Sequence, residues 1–156
     1  MGAWVSIFLL LYVIYTDLSD LRIPNVVVMA LLAVFAATQA PFLPLPELAW
    51  RTGAAAVVFA LGVAVFVLHL LGGGDVKLLP VVVLFIPSGQ WAQFMLALSV
   101  AVILSLSCLR LLRRTGVGRQ WRSLNQTARY PLGPAIALAA LIYEPLGVAV
   151  MSALSG

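Results

Sequence analysis

Long apolar runs separated by short polar connections dominate this chain. A helix needs about 20 apolar residues to cross a bilayer, and several of the runs approach that length. The pattern predicts about six membrane-spanning helices. The first begins at residue 3 and runs on past Asp17, and the others cover residues 26–40, 52–71, 77–86, 91–112 and 133–153. The fourth run is short and is interrupted by Lys77 and Pro87. The predicted fold class is therefore an all-α, polytopic membrane bundle.

The connections between these runs are short. Residues 17–22 predict a polar connection, after which Pro24 starts the second helix, as proline does in a first helical turn. Three prolines and Glu47 predict a loop, with Trp50 and Arg51 at the membrane interface. Residues 87–89, Pro-Ser-Gly, predict a tight turn.

Composition supports a membrane protein. Hydrophobic residues make up 63% of the chain and charged residues only 9%, whereas soluble domains are about 25% charged. No Lys or Arg precedes the first apolar run, which predicts a spanning helix rather than a cleaved signal peptide. We therefore expect a single transmembrane domain over residues 1–156, without a soluble N-terminal region. The single cysteine excludes an intrachain disulfide and a cysteine-based zinc site.

The basic residues predict an orientation. Eight of the nine Lys and Arg lie in the first, third and fifth connections, most of them between residues 110 and 129. The positive-inside rule places these connections in the cytoplasm and both termini outside. The basic isoelectric point therefore reflects topology and contact with anionic lipid, and we expect no nucleic-acid partner. Asp17, Asp20 and Asp75 fall on the predicted cytoplasmic side.

The segment over residues 70–79 carries the most unusual chemistry. Three glycines, Asp75 and Lys77 lie between two uncharged apolar runs. An acid in a membrane segment costs about 2.5–3.5 kcal/mol at a helix centre and is by default a functional candidate. Glycine allows sharp turns and the close approach of another chain. If a helix starts here, Asp75 lies at its N-terminus, where the helix dipole favours a negative charge.

A second acid would complete a site for hydrolysis. Two adjacent carboxyl groups share a proton, so one can activate water while the other protonates a carbonyl. Asp17 and Asp20 are both candidates, and their spacing does not choose between them. His69 is expected to be a packed or interfacial histidine in the apolar helix before the glycines. We expect no metal and no cofactor.

Three segments resemble the type IV prepilin peptidases, which are membrane aspartic proteases of the GxGD type. Residues 72–79 resemble the GxGDxKLL segment, and residues 17–25, ending in Ile-Pro-Asn, resemble the first-aspartate segment. Residues 130–135 resemble the opening of the family's last helix, with Leu132 in place of the usual aromatic residue. The family's first aspartate lies six residues before the isoleucine, so the resemblance selects Asp17 over Asp20.

The resemblance implies an aspartic endopeptidase of the bacterial inner membrane. Its substrate would be a pilin precursor, with a short basic leader before an apolar helix, cut on the cytoplasmic side. The lack of an N-terminal region with paired cysteines is similar to the short, peptidase-only members of tight-adherence (Flp) pilus systems. Methylation of the new N-terminus is not expected.

Four further residues are predicted to support the site. Gly72 and Gly74 would let the substrate backbone approach Asp75. Asp20 would be solvated, and would pair with Arg22 or receive the basic leader. Lys77 would either adjust the acidity of the site or mark the cytoplasmic edge of the membrane.

Two other functions fit parts of the pattern. A small proton-coupled transporter would use Asp75 as its proton carrier, and would need more polar groups at mid-membrane than the sequence offers. A non-catalytic subunit of a pilus or secretion machine would tolerate Asp17→Asn and Asp75→Asn. Presenilin-like peptidases fit less well, because their first aspartate follows a tyrosine, whereas Asp17 follows Thr16. The pattern gives Glu144, in the last apolar run, no role.

Overall fold

The computed structural model describes residues 2–69, 71–115 and 132–143, and these residues form six α-helices without a β-strand. The predicted all-α fold class is confirmed. The helices are α1 (Gly2–Asp20), α2 (Asn25–Thr38), α3 (Leu45–Val67), α4 (Gly73–Leu84), α5 (Trp91–Thr115) and α6 (Gly133–Tyr143). Short 3-10 helices cover Ala40–Phe42 and Ser88–Gln90.

Within the part of the chain that the structure describes, three helical stretches are long and apolar enough to cross a membrane: Asn25–Phe42, Leu45–Val67 and Ser88–Leu112. Large apolar side chains cover their outer faces and that of α1, including Phe8, Val26 and Ile103, which are each more than 60% exposed. An apolar surface of this extent is stable against lipid hydrocarbon and not against water. The helices therefore form an integral membrane bundle.

The fourth helix lies in the middle of this bundle. α4 has 12 residues and rises about 18 Å, which is less than the bilayer's hydrocarbon core of about 30 Å. It packs against α2, α3 and α6, and most of its side chains from Val76 to Leu84 are buried. α4 is thus an inner helix that the neighbouring helices shield from lipid.

Contacts between helix ends define the two ends of the bundle. A side chain at Gly62 of α3 would meet Val76 of α4, and Glu47 at the start of α3 accepts a hydrogen bond from the N–H of Ser88. α3 and α4 are therefore antiparallel. The end where α1 finishes and α4 begins is called the aspartate end below. The end where α3 begins and α4 finishes is called the arginine end, after Arg51.

The structure corrects two predicted connections. α1 continues through Asp20, which confirms that the first helix runs past Asp17, but residues 18–20 belong to the helix and not to a polar connection. Leu21, the residue after the helix, has a φ of 54°, in the left-handed region. Residues 45–51 form the first two turns of α3 rather than a loop. Arg51 is only 5% exposed, so its side chain lies inside the bundle; its position at the membrane interface stays a prediction.

His69 also differs from expectation. It follows the end of α3 in a turn, with a φ of 59°, and its side chain is exposed. The prediction of a histidine within an apolar helix is therefore wrong. The turn arises because His69 donates its backbone N–H to the carbonyl of Phe66. The predictions for Glu144, for residues 116–131 and for the last apolar run beyond Tyr143 lie outside the described residues.

Candidate active site

Asp17 lies in the last turn of α1 and points into the bundle. It is 6% exposed, while Asp20, one turn later, is exposed to solvent. Asp20 accepts a hydrogen bond from Ser19 Oγ over 3.1 Å, and the backbone carbonyl of Asp17 accepts the N–H of Leu21. The two acids that sequence spacing could not separate therefore have different environments, one buried and one solvated.

The start of α6 holds the Asp17 side chain. The N–H of Gly133 donates a hydrogen bond to Asp17 Oδ2 over 3.1 Å. As the first residue of α6, Gly133 has an N–H that no helical carbonyl can accept, and the dipole of α6 favours a negative charge at this position. A Cβ atom on Gly133 would lie 2.7 Å from Asp17 Oδ2. Glycine is therefore needed for this close contact.

Asp75 is the third residue of α4 and is 8% exposed. Its carboxylate interacts with the backbone of Gly72, the residue that precedes the helix. Asp75 Oδ1 is buried and has no hydrogen-bond partner among the described residues. Buried carboxylate oxygens are nearly always hydrogen-bonded in folded proteins. This oxygen of Asp75 is therefore available to accept a hydrogen bond or to carry a proton.

Ile23 connects the two acidic positions. A Cβ on Gly74 would lie 2.9 Å from Ile23 Cβ, and a Cβ on Gly133 would lie 3.0 Å from Ile23 Cδ1. The start of α4 and the start of α6 thus both press against one isoleucine, in the connection after α1. Asp17 and Asp75 are close enough to interact electrostatically. The fold brings together two carboxyl groups that are far apart in sequence.

An apolar cavity borders Asp75. It has a volume of about 130 Å³ and lies among α3, α4, α5 and α6. Gly62, Leu98 and Ile136 are among its lining residues, and Asp75 is the charged one among the described residues that line it. Asp75 therefore adjoins a space that accepts apolar groups.

The remaining predicted site residues lie around this pair. Lys77 is exposed and donates a hydrogen bond from Nζ to Asn25 Oδ1 over 3.1 Å, which joins α4 to the start of α2. A side chain at Gly72 would come within 2.9 Å of Asp75 Oδ2. Gly74 lies against Ile23, as described above. The sequence analysis did not select Ile23 and Gly133 as site residues, although both lie in segments that resemble the prepilin peptidases. Neither residue has a side-chain functional group that would mark it as part of a site.

A second cavity lies away from the acids, at the arginine end. It has a volume of about 200 Å³ and is lined in part by Arg51, Gln39 and Tyr143. Arg51 donates to Glu47 Oε1 over 2.8 Å, and also to Gln39 Oε1 and to the carbonyl of Leu84. Its charge is therefore paired within the fold, and we assign this cluster a structural role.

The described residues contain no group of three or more His, Cys, Asp or Glu side chains that could hold a metal ion. The fold and the site together define a polytopic helical membrane protein with a pair of buried carboxyl groups at one end of the bundle.

Comparison with models of protein families shows which family the chain belongs to. The sequence model of the type IV leader peptidase family matches residues 4–109, and the chain belongs to this family. The matched range contains both Asp17 and Asp75, whereas Gly133 follows it. Comparisons with individual curated proteins and with solved structures find no match.

Proposed function

We propose that this protein is an aspartic endopeptidase that removes the leader from type IV pilin-like precursors, with Asp17 and Asp75 as its catalytic residues. One observation carries the proposal: the fold buries these two acids at the same end of the bundle and leaves Asp75 Oδ1 without a partner in the described structure. Membership of a leader peptidase family supports the same reaction class.

The chemistry needs one shared proton and one water molecule. The ionised carboxyl group takes a proton from water as the water oxygen attacks the scissile carbonyl, while the protonated carboxyl group donates its proton to the carbonyl oxygen. The tetrahedral diol then collapses. Its C–N bond breaks, and a carboxyl group returns a proton to the leaving amine. No side-chain nucleophile or metal takes part.

The hydrogen bond from Gly133 to Asp17 gives the two aspartates different roles in the proposed reaction. A carboxylate that accepts a backbone N–H at a helix N-terminus is stabilised in its charged form. In the proposal, Asp17 is the group held in place, and the unpartnered Oδ1 of Asp75 faces the reacting atoms. The burial of both groups excludes bulk water, which strengthens their interactions with the developing charge.

The substrate would bring a basic leader and an apolar helix to the aspartate end. Exposed Asp20 lies one turn beyond Asp17 and offers negative charge to the leader. The positive-inside rule and the arginines at the end of α5 support a cytoplasmic position for this end, in the bacterial inner membrane.

The two glycines flanking the site support the proposal in different ways. Gly72 leaves the Asp75 carboxylate uncovered, because any side chain there would lie against Oδ2. Gly74 allows Ile23 to approach the start of α4. At Gly72 the absence of a side chain leaves space beside the Asp75 carboxylate for the backbone of a substrate, whereas at Gly74 the corresponding space is filled by Ile23.

Cleavage of a co-expressed pilin precursor in membranes tests the function. Wild type is compared with Asp17→Asn, Asp75→Asn and Asp20→Asn, with immunoblots to confirm equal amounts of each variant. Asp20→Asn is the matched control, since it makes the same chemical change one turn away on the same helix. We expect no detectable cleavage with the first two variants and at least about half of wild-type cleavage with the third.

Other outcomes would correct or overturn the proposal. Loss of cleavage at Asp75 and Asp20 alone would keep the peptidase and replace its first acid. Normal cleavage by all three variants would exclude an aspartic mechanism and favour a non-catalytic subunit. Proton-coupled transport by wild type, with no cleavage, would favour the transporter.

A further inference from the structure

A second opening lies at the aspartate end, on the lipid-facing side of the bundle. It is a groove of about 320 Å³ between α1 and α5, with α6 as its floor. Its walls are apolar except for Ser105 and Cys108, and they include Ile14 and Leu18 of α1, Leu104 and Cys108 of α5, and Pro134 and Leu138 of α6.

The groove is open towards the membrane. Leu104 is 50% exposed, and Cys108 is also exposed. α5 contributes lining residues from Leu104 to Leu112, so the groove extends along about 12 Å of the helix axis, or roughly two turns. These dimensions suit one face of an apolar helix lying alongside α5.

The inner end of the groove lies beside the proposed catalytic acid. Leu18, which lines it, directly follows Asp17, and Pro134, which also lines it, directly follows Gly133. Gly133 is the residue that donates to the Asp17 carboxylate. The groove therefore reaches the residues next in sequence to both partners of this hydrogen bond.

We propose that this groove, between α1 and α5, binds the apolar helix of the precursor that follows the bond to be cut. The inference rests on the proposed function and adds the route by which the substrate reaches Asp17. A substrate anchored in the membrane must enter from the side, and its apolar helix must end within reach of the acids. The groove meets both requirements, since it opens to lipid at one side and is lined at its inner end by Leu18 and Pro134, the sequence neighbours of Asp17 and Gly133.

Cys108 makes the groove directly testable, because it is the only cysteine of the chain. Single cysteines are introduced at successive positions along the apolar helix of a co-expressed precursor, and disulfide formation with Cys108 is measured in membranes. The Asp75→Asn variant is used in parallel, so that uncleaved precursor accumulates. We expect cross-links whose yield repeats every three to four positions, as one face of a helix requires.

The control places the cysteine on another face of α5. Ile103→Cys combined with Cys108→Ser moves the thiol about 140° around the same helix, to a position that is 63% exposed. We expect no periodic cross-linking from this position. Equal cross-linking from both positions would overturn the proposal, since it would indicate random collisions within the lipid. Cross-links between two copies through Cys108, with none to the precursor, would also overturn it and assign the groove to self-association.

A pair of substitutions in α5 tests whether the groove binds substrate, without altering the catalytic acids. Ser105→Phe fills the groove, whereas Ser99→Phe adds the same side chain about 120° around α5, at an exposed position that does not line the groove. We expect Ser105→Phe to reduce cleavage of the membrane-anchored precursor by at least about tenfold, an effect of about 1.4 kcal/mol on the barrier, with a rise in KM. Unchanged cleavage by Ser105→Phe would contradict the inference.

Failure of the inference and failure of the proposed function give different results. If wild type cleaves the precursor and Asp75→Asn does not, but Cys108 forms no cross-link and Ser105→Phe has no effect, the peptidase stands and the substrate enters elsewhere. If wild type does not cleave the precursor, the proposed function itself is wrong.

Discussion

The backbone N–H of Gly133 lies 3.1 Å from Asp17 Oδ2 and donates a hydrogen bond to it, joining two residues separated by most of the chain. The contact couples the last turn of α1 to the first turn of α6. It also explains why one acid of the first helix is buried while its neighbour Asp20 is solvated. The stability of this helix start and the geometry of the proposed active site thus depend on the same hydrogen bond.

Gly133→Ala should therefore damage cleavage. A methyl group placed 2.7 Å from Asp17 Oδ2 must displace the carboxylate or the start of α6. We expect the cleavage rate to fall by at least about tenfold, or 1.4 kcal/mol in the activation barrier, in a membrane assay with the pilin precursor.

Gly53→Ala is the control for that substitution. It makes the same change in α3, where a Cβ meets nothing within 4 Å, and helix propensity favours alanine over glycine by about 0.5–1 kcal/mol. Cleavage should be unchanged. If Gly133→Ala cleaved as well as Gly53→Ala, the contact with Asp17 would have no part in the reaction.

Gly74→Ala should be more harmful than Gly73→Ala. At Gly74 a Cβ would lie 2.9 Å from Ile23 Cβ, a branched atom fixed close to the backbone that cannot move aside cheaply. At Gly73 the nearest atom is in the Phe66 ring at 3.4 Å, an ordinary contact distance. We expect a lower thermal midpoint and reduced cleavage for Gly74→Ala alone, measured on purified protein in detergent. Equal behaviour of the two variants would contradict the packing of Ile23 against α4.

Arg51→Leu should lower stability without acting on the chemistry. Arg51 joins α2, α3 and α4 through Gln39, Glu47 and the carbonyl of Leu84. Its removal takes one donor away from the Leu84 carbonyl and one from the Glu47 carboxylate, which keeps only the N–H of Ser88 among the hydrogen bonds described. We expect a lower thermal midpoint in detergent, while the cleavage rate per folded molecule stays near that of wild type. Arg51→Lys, which keeps the charge and loses the planar group of donors, should be intermediate. An Arg51→Leu variant with normal stability would show that this cluster does not hold the arginine end together.

His69→Gly should stabilise the protein slightly. His69 is exposed and has a φ of 59°, a conformation that costs a residue with a Cβ about 1 kcal/mol and costs glycine almost nothing. Part of that gain is lost because glycine is more flexible in the unfolded chain, so a net gain of about 0.5 kcal/mol is expected. Thermal unfolding of His69→Gly and His69→Ala provides the comparison, with His69→Ala no more stable than wild type. Loss of cleavage in both variants would instead give the imidazole a role in the reaction.

Most elements of the bundle could be predicted from the sequence, because their signals are local. Runs of apolar residues predicted where the described helices lie, and Pro24 correctly marked the start of α2 at Asn25. The start of α3 was misplaced by seven residues, and α4 begins at Gly73, four residues before the predicted run. The errors at His69 and at the start of α3 have one cause. Hydrophobicity shows that a segment belongs in the membrane, but it does not show where a helix begins or stops, or which polar side chain finds a partner inside.

The residues of the candidate site were also visible in the sequence, whereas their arrangement was not. Acids are rare in this chain and glycines flank Asp75, so the candidates could be selected from residue types and from resemblance to a family. Which acid is buried depends on packing between α1 and α6, whose residues are far apart in sequence. The same packing places Gly133 beside Asp17 and Ile23 between two helix starts. Such contacts follow from the shapes of complete helices, so only the tertiary structure decided them.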